Sequence, residues 1–537
     1  MQRGHGEAGP AREFLRPHVG QLHSPRLLAG MDDAVARLRR AIHSGETILV
    51  HGDYDVDGIC ATAISTRALT AMGVRAIPFV PHRIRDGYDL SDAGIGAARA
   101  AGATLILTGD CGIVAHEAIL RARRAGIEVI VTDHHTPSTS LPNAIAVVNP
   151  NRPDCGYPER GLAGAGVAYK LCCALAEEIG FPEERLHPLL DLVAMATIAD
   201  LAPLTGENRA LVRWGLRVLT QTRNPGLRAL IRSAGLEDAA EISAAQVGFV
   251  LAPRLNAVGR MGEAMLGVRL LLSDDAREAA EIAQLLEEEN RVRRTVDGET
   301  LADALRIVDR EFDPARDRGV VLAREGWHPG VIGIVASRVV ERIHRPVVLI
   351  ALNGAAEARG SARSIPGFHL HDAIRDCAEH LVRFGGHRAA AGCSILPERI
   401  AAFRAAFDAR ARSVLEDDDL IPQLRVDLEL SLAEADGELV RMLRHAGPFG
   451  MGNPTPVFAV RGAGLAGPPR LVGKNHLKLV LSAGGTTLDA IGFGMAERLG
   501  EAGGSGGRLD VAFRLEENRW NGNTRLQAKV ADFRPAR

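Results

Sequence analysis

The chain has 537 residues, of which 46% are hydrophobic, 24% are charged and 4% are aromatic, with a formal net charge of −2. This length predicts about three domains, and no segment approaches the roughly 20 consecutive apolar residues of a membrane-spanning helix. A net charge near zero neither supports nor excludes a nucleic-acid substrate. The N-terminus has no apolar segment typical of a secretory signal. The seven cysteines form no CxxC pair, which predicts reduced thiols and a cytoplasmic protein.

Residues 31–215, which follow an N-terminal extension of residues 1–30, alternate β-branched apolar segments with helical patterns. This alternation is typical of an α/β domain with a parallel sheet covered by helices. The predicted strands are 47–51, 75–80, 104–108, 127–132 and 144–148, and the predicted helices include 59–72 and 115–125.

Acidic or histidine-bearing motifs end three of the strands and one apolar helix. They read HGDYDVDG from His51, GDCG from Gly109, DHH from Asp133 and ADLAPL from Ala199. Carboxylates and imidazoles are costly to bury without partners. In open parallel sheets, however, ligands bind beyond the carboxyl ends of the strands. We therefore expect these side chains to gather there and to suit two divalent cations.

Alternate residues of a strand point to one face, so His51, Asp53 and Asp55 are predicted to converge on one cation. Asp110 and Asp200, taken singly, would more often be a turn residue and a helix-terminal residue. The adjacent imidazoles of the DHH motif follow a buried strand and have no packing role. One of them can bind a metal ion while the other faces the substrate.

The rest of the chain predicts three further parts. Residues 216–312 form a helical connector with a long helix over 276–312, in which Gly298 is a candidate break point. Residues 313–412 form a second α/β domain with strands at 319–323 and 346–352 and a helix at 331–343, and an acidic linker follows at 413–424. Residues 425–537 have short alternating strands typical of a small all-β barrel.

The ordered motifs DYDVDG, GDCG, DHH and ADLAPL resemble the DHH phosphoesterase superfamily. The later segments GWHPGVIGIVASRVV, GSARSIPGFHL, FGGHRAAAG and PFGMGNPTPVF resemble the RecJ family within it, from about Phe14 onward. This resemblance implies a DHH parallel-sheet catalytic domain, a long connecting helix, a DHH-associated α/β domain and a C-terminal OB-type β-barrel. It also implies a single-stranded-DNA-specific 5′→3′ exonuclease of DNA repair and recombination that releases 5′-mononucleotides by two-metal-ion catalysis.

The resemblance also assigns the residues of the catalytic site. His135, Asp55 and Asp110 are implied to be catalytic, with Asp110 shared by both ions and His135 at the scissile phosphate. Two divalent ions are implied, Mn²⁺ by preference with Mg²⁺ as the alternative, and imidazole ligands fit that preference. The implied metal ligands are His51, Asp53, Asp55, Asp110, His134 and Asp200.

Substrate contacts are predicted at arginines and glycine-rich turns, although each arginine alone is more often a surface or salt-bridge residue. In the last domain a basic groove with stacked aromatic rings is expected, and three of the chain's four lysines lie there. The predicted substrate-binding residues are Arg83, Arg254, Arg260, Ser361, Arg363, Gly385, Gly386 and His387. Those of the last domain are Lys474, Lys478, Trp520 and Arg525.

Two other interpretations stay open. The first is an oligoribonucleotide or cyclic-dinucleotide phosphodiesterase of the same superfamily, although such relatives usually lack a domain like 425–537. The second is a non-catalytic scaffold that binds single strands, against which the complete set of motifs argues. The resemblance further implies a monomer with no membrane association. Its partners would be single-stranded DNA, a single-strand-binding protein and a helicase.

Overall fold

The computed structural model describes residues 4, 6–83, 85–87, 89–261, 263–352, 354, 356–504, 508–520 and 523–536, apart from the side chains of residues 261, 504, 519, 520, 523 and 524. The chain divides into two compact units, one of residues 1–255, 264–283 and 424–537 and the other of residues 256–263 and 284–423. Among the described residues, no helix combines the length and apolar character needed to cross a bilayer.

The first unit begins with a five-stranded parallel sheet, which confirms the strands predicted for this region. The strand order is β2-β1-β3-β4-β5. Most side chains of β1, β3 and β4 are buried, as the continuous apolar segments predict for a sheet covered by helices. The strands are β1 (Thr47–Gly52), β2 (Arg75–Phe79), β3 (Leu105–Gly109), β4 (Glu128–Thr132) and β5 (Ala146–Val148).

Helices pack around this sheet and continue beyond it. Val56–Ala71 is buried along nearly its whole length because its residues are small or apolar on every side. Gly206–Thr220 runs across residue 215, where the sequence places a domain boundary. The helices up to the long connector are Ala8–Leu15, Met31–Ser44, Val56–Ala71, Asp92–Ala100, His116–Arg124, Gly164–Ile179, Leu190–Ala199, Gly206–Thr220, Pro225–Ser233, Ala244–Gln246, Ala252–Met261 and Met265–Leu272, with a π-helical turn at Val247–Leu251.

The long helix is Ala276–Glu311, 36 residues without interruption. The predicted long connecting helix is therefore confirmed, and the candidate break at Gly298 does not occur. A glycine within a helix costs only about 1 kcal/mol relative to alanine. Buried residues such as Ala304 and Val308 pack the helix into a hydrophobic cluster, which outweighs that cost.

The second unit contains a mixed sheet with the order β6-β7-β8-β10-β9, in which β6 and β7 are parallel and the other pairs are antiparallel. The two predicted strands and the helix Ile332–Ile343 are confirmed. Part of the predicted linker is wrong, because Leu415 and Leu420 are buried in this unit's core. The strands are β6 (Val320–Glu325), β7 (Val347–Leu352), β8 (Ala358–Arg363), β9 (Arg383–Gly386) and β10 (Ala390–Ile395), and the further helices are Leu370–Asp376 and Ile400–Val414.

The C-terminal part of the first unit is a seven-stranded sheet with the order β11-β12-β16-β17-β15-β14-β13, and β12 also pairs with β14. The alternating residues of β14 confirm the predicted pattern, since Leu477, Leu479 and Leu481 point into the core. The strands are β11 (Leu428–Glu429), β12 (Phe458–Leu465), β13 (Arg470–Val472), β14 (His476–Ala483), β15 (Thr486–Phe493), β16 (Arg508–Trp520) and β17 (Asn523–Pro535), with helices Gly437–Ala446 and Leu499–Gly504.

Candidate metal centre

The first motif leaves the sheet earlier than the sequence predicts. Strand β1 ends at Gly52, so the expected alternation of His51, Asp53 and Asp55 along a strand is wrong. Asp55 instead caps the helix Val56–Ala71, and its Oδ1 accepts hydrogen bonds from the amides of Asp57 at 2.9 Å and Gly58 at 3.1 Å. The turn from strand to helix therefore determines which carboxylates face the site.

The ends of β1, β3 and β4 and of the helix Leu190–Ala199 come together at one edge of the sheet. His134 Nε2 lies 3.1 Å from Asp110 Oδ1, and 3.7 Å from both Asp57 Oδ2 and Asp200 Oδ2. Three groups of side chains have ligand atoms that all lie within 4.8 Å of one another: Asp53, Asp55 and Asp110; Asp57, His134 and Asp200; and Asp110, His134 and His135. Because Asp110 and His134 each belong to two of these groups, the arrangement can serve two neighbouring cations.

His51 does not belong to these three groups among the described residues. Its ring is fully buried, with Nδ1 3.7 Å from the sulfur of Cys111 and the ring centre 5.2 Å from that of Phe79. Gly94 makes room for it, since a Cβ there would lie 2.7 Å from His51 Nε2. Its role as a metal ligand stays a prediction, as do those of the other assigned residues.

Two carboxylates of the site were missed by the sequence assignment. Asp57 joins the group with His134 and Asp200, and accepts hydrogen bonds of 2.7 Å from the amides of Gly164 and Ala165. Asp133 accepts hydrogen bonds from the amides of both histidines that follow it. Both could have been found from the motifs, since Asp57 is the third aspartate of DYDVDG and Asp133 is the first residue of DHH.

Burial and mutual repulsion dominate the electrostatics of the site. Burial raises the pKa of Asp53 and Asp110 well above the usual range, and neighbouring carboxylates raise both further. Burial and then the charges of Asp57 and Asp55 raise the pKa of Asp200 to about 8. Burial lowers the pKa of His51 to about 4. The charged form of these carboxyls is therefore unfavourable in the folded chain, and a bound divalent cation would stabilise it.

Asp133 holds the second histidine of the motif. Burial alone would lower the pKa of His135, but a 2.8 Å hydrogen bond from its Nδ1 to Asp133 Oδ1 outweighs burial and raises that pKa to about 9. Burial likewise opposes ionisation of Asp133, yet the contact with His135 lowers the pKa of this carboxyl. Asn149 and Asn151 fix the same turn by donating to the carbonyls of His135 and His134.

The donor atoms of the site fit divalent cations. Asp53 Oδ1, Asp110 Oδ1 and His134 Nε2 are buried without a hydrogen-bond partner among the described residues, although the last two lie 3.1 Å apart. A buried polar atom without a partner costs about 1–3 kcal/mol. Carboxylate oxygens together with an imidazole nitrogen suit Mn²⁺ as ligands. Mg²⁺ also binds the carboxylates but has less preference for nitrogen ligands.

The backbone at Asp110 is shaped for this position. Its φ of 65° lies in the left-handed region, which non-glycine residues occupy at a cost of about 1–3 kcal/mol, mostly at functional sites. Gly164 allows the close approach of the helix Gly164–Ile179, because a Cβ there would lie 2.5 Å from Asp110 Cβ.

In the first unit, Arg83 lies beside the first motif, with its guanidinium carbon 4.9 Å from the centre of the Tyr54 ring. Arg254 donates to the carbonyl of Val250 at 2.6 Å, within its own helical segment. The charge of Arg83 also acts on Asp53, which places this arginine beside the metal centre.

In the second unit, three predicted contacts gather at the start of the helix Ile332–Ile343. Arg260 donates to the carbonyl of Gly330 at 3.0 Å, and Arg363 donates to Ser361 Oγ at 3.2 Å. A Cβ at Gly333 would lie 2.9 Å from Ser361 Oγ and 3.0 Å from Arg363 Nη2. The sequence did not predict that Arg260, Ser361 and Arg363 would lie together.

The glycine-rich turn of the same unit forms the hairpin of β9 and β10. Gly392 pairs with both Ser361 and Gly385, so these residues lie in one row across the sheet. Gly386 has a φ of 142°, and a Cβ there would lie 2.5 Å from the carbonyl oxygen of Ala390. The hairpin itself therefore requires Gly386, whereas His387 is exposed beside it.

In the C-terminal domain, Lys474 and Arg525 are exposed. Lys478 lies with its Nζ 3.5 Å from Asp489 Oδ2, so part of its charge is already paired. The side chain of Trp520 lies outside the described residues.

A parallel sheet with aspartates and a DHH motif at its carboxyl edge defines a DHH-type phosphoesterase. Family models match in the same order: the DHH family N-terminal domain over residues 47–197, the DHHA1 domain over 317–413 and the RecJ OB domain over 426–532. The predicted fold class is thereby confirmed, including the OB domain.

The chain is 37% identical to the single-stranded-DNA-specific exonuclease RecJ of Bacillus subtilis over 99% of this chain and 67% of that protein. It is 39% identical to RecJ of Dickeya dadantii over 95% of this chain and 91% of that protein. Crystal structures of Thermus thermophilus RecJ in complex with Mn²⁺ and with Mg²⁺ match with TM-scores of 0.82 and 0.78 at 34% identity, covering 97% and 99% of this chain and 74% and 73% of those chains. The chain belongs to the RecJ family of single-stranded-DNA-specific exonucleases, which confirms the predicted family.

Proposed function

We propose that this chain is a metal-dependent exonuclease that degrades single-stranded DNA from the 5′ end and releases 5′-mononucleotides in DNA repair and recombination. The observation that carries the proposal is the set of three ligand groups, which Asp110 and His134 link to one another and which contain buried ligand atoms without partners among the described residues. The manganese and magnesium complexes of the Thermus thermophilus relative support the choice of ions.

The ligand groups suggest how two ions would be held. Asp53, Asp55 and Asp110 would hold one ion, with His51 as the further ligand that the family resemblance implies, and Asp57, His134 and Asp200 would hold the other. Mn²⁺ would be preferred over Mg²⁺. When bound, the ions would supply Lewis acidity and a water nucleophile at neutral pH.

His135 is the proposed proton donor. Its Nδ1 hydrogen bond to Asp133 fixes the orientation of the ring. A protonated His135 carries a second proton at Nε2, which it can donate to the leaving 3′-oxygen when the bond between phosphorus and that oxygen breaks. Asp133 stabilises the cationic ring by the same hydrogen bond.

Substrate binding is proposed for three regions. Arg83, Arg254 and the cluster of Arg260, Ser361 and Arg363 supply guanidinium and hydroxyl donors suited to phosphates. Gly385, Gly386 and His387 form an exposed turn that a phosphate can approach closely. In the OB domain, Lys474, Lys478 and Arg525 would bind the DNA backbone and Trp520 would stack on a base.

We further propose that the enzyme acts in the cytoplasm as a monomer. All seven cysteines are free, which agrees with a reducing cytoplasm. An enzyme that needs single-stranded DNA would work with a helicase, which opens the duplex, and with a single-strand-binding protein, which holds the separated strand. Co-purification with these partners and the mass of the isolated protein in solution would test this setting.

Single-stranded and duplex DNA labelled at either end, incubated with Mn²⁺, Mg²⁺ or EDTA, test the proposed activity. We expect labelled mononucleotides to appear first from the 5′ end of the single strand, faster with Mn²⁺ than with Mg²⁺ and not with EDTA. Early release from a labelled 3′ end would contradict the polarity, and equal degradation of blunt duplex would contradict the strand specificity.

A further inference from the structure

We propose that the loop of residues 446–453 in the OB domain, called here the positioning loop, holds the metal-ligand segment of residues 200–205 in place. The OB domain would then support the metal centre in addition to binding DNA. This inference rests on the proposed function, because it gives Asp200 the role of a metal ligand. The positioning loop and the Asp200 segment both belong to the first compact unit.

The Asp200 segment is strained directly after its ligand. Asp200 ends the helix Leu190–Ala199, and Leu201 has a φ of 58° in the left-handed region. Leu201 is 64% exposed, so its own side chain contributes little packing. A non-glycine residue in this conformation costs about 1–3 kcal/mol and persists only where the surrounding structure holds it. The amides of Leu201 and Ala202 donate back to the carbonyls of Ile198 at 3.2 Å and Thr197 at 3.1 Å, so the helix itself holds this turn. Support from outside the helix is therefore needed for the residues that follow the turn, 203–205.

The positioning loop contacts the segment at this point. The amide of Leu204 donates a 2.8 Å hydrogen bond to the carbonyl oxygen of Met451. Leu204 is 2% exposed, and a Cβ at Gly450 would lie 2.7 Å from its Cδ1. A Cβ at Gly452 would lie 3.3 Å from Pro203 Cβ and from Thr205 Cγ2. The glycines of the loop thus allow a close fit over the segment.

The loop is itself held firmly. Gly450 and Asn453 exchange backbone hydrogen bonds of 2.9 and 3.2 Å. The side chain of Asn453, in a residue only 1% exposed, donates 2.9 Å hydrogen bonds to the carbonyls of Ala446 and Pro448. A buried amide with two such bonds fixes the shape of the loop.

Arg209 joins the loop to the helix that follows the Asp200 segment. It lies in Gly206–Thr220, is 2% exposed, and its own amide bonds the carbonyl of Thr205 at 3.0 Å. The guanidinium of Arg209 donates to the carbonyls of Phe14, His445, Ala446, Gly447 and Pro448 at 2.6–3.3 Å. His445 and Ala446 end the helix Gly437–Ala446, and a cation beside the last carbonyls of a helix is favourable.

The loop and the segment are therefore connected both directly and through one helix. Loosening the loop would free residues 203–205, which follow the turn at Leu201, and would let Asp200 move away from Asp57 and His134. The expected consequence is weaker metal binding and a lower kcat, while the DNA-binding groups of the OB domain stay unchanged.

The test compares Gly450→Val with Gly467→Val. The first places side-chain atoms against Leu204, whereas a Cβ at Gly467, in the same domain, would meet no atom within 4 Å. For Gly450→Val we expect kcat on single-stranded DNA to fall at least tenfold, and Mn²⁺ binding measured by calorimetry without DNA to weaken at least tenfold. The affinity for single-stranded DNA in EDTA should stay within twofold of wild type. Gly467→Val should match wild type in all three measurements.

If Gly450→Val does not fold, Asn453→Ala decides, because it releases the loop without adding atoms to the contact. Folded variants with wild-type Mn²⁺ affinity and kcat would overturn the inference, as would a defect confined to DNA affinity. Wild-type protein that is inactive on single-stranded DNA would instead overturn the proposed function. The two failures are thus distinguishable.

Discussion

At the scale of single residues, Asp110 combines a strained backbone, a buried side chain and membership of two of the three ligand groups. Each property alone would destabilise the fold, and strain of this kind is usually kept where function needs it. Asp133 has a different part, because its oxygens are occupied by backbone amides and by His135. It acts by positioning that ring.

Asp133→Asn tests this positioning role. The amide keeps the size of the side chain but replaces one acceptor oxygen with a donor, so the bond to His135 Nδ1 weakens. We expect kcat to fall about 10–100-fold, as is usual for partners of metal-site histidines, with DNA affinity unchanged in steady-state and binding assays. Asp92→Asn is the control, since Asp92 is an exposed partner of Arg121. Wild-type kcat in Asp133→Asn would contradict the role.

The sequence located the site because acidic motifs after apolar segments are unusual, but it could not assign every ligand. Asp57 was missed because the chain turns from strand to helix after Gly52, so the spacing of two no longer decides which side chains converge. His51 was predicted to be a ligand because it ends a strand, and this role stays a prediction: its ring packs against Cys111 and Phe79, and its buried Nε2 has no hydrogen-bond partner among the described residues. Such packing is not encoded in local spacing.

At the scale of elements, continuous apolar strands were predicted well, and polar ones were not. Strands β8, β9 and β10 are rich in glycine, alanine, serine and arginine, so they carry little periodic signal. Their register, which aligns Ser361, Gly392 and Gly385 in one row, depends on partners distant in sequence. The clustering of predicted phosphate contacts could only be seen in the folded sheet.

The uninterrupted helix Ala276–Glu311 can be tested with Gly298→Ala. Gly298 is exposed, and a Cβ there would meet no atom within 4 Å. We expect the free energy of unfolding of the unit to rise by about 0.5–1 kcal/mol, measured by thermal or urea denaturation. Gly215→Ala should instead lower the free energy of unfolding, because its Cβ would lie 2.2 Å from the carbonyl oxygen of Leu190. Lower stability or helicity in Gly298→Ala would indicate a kink at that residue.

At the scale of the whole molecule, the chain combines a metal centre on a parallel sheet with an OB domain. Family membership and the matched domains show this combination. The near-zero net charge therefore reflects an average over domains, and DNA binding must depend on local basic groups rather than on an overall field.

The double variant Lys474→Ala, Arg525→Ala tests whether the OB domain binds the DNA backbone. Each phosphate contact to a single strand contributes about 0.7 to the slope of log affinity against log salt, so losing two should reduce that slope by about 1.4. Filter binding or anisotropy over a salt series measures it. Arg461→Ala should leave the slope unchanged, because Arg461 is already paired with Glu429. An unchanged slope in the double variant would exclude these two residues from the interface.

The carboxylate groups around Asp110 are proposed to hold the ions that cleave single-stranded DNA, and the whole mechanism depends on this role. Exonuclease activity of Asp110→Asn with saturating Mn²⁺ tests it, since asparagine keeps the size and tolerates the left-handed backbone. We expect activity below about 1% of wild type. The variant should melt no lower than wild type in EDTA, because asparagine cannot ionise at a buried position where negative charge is unfavourable. Full activity in folded Asp110→Asn would show that the ions are held elsewhere.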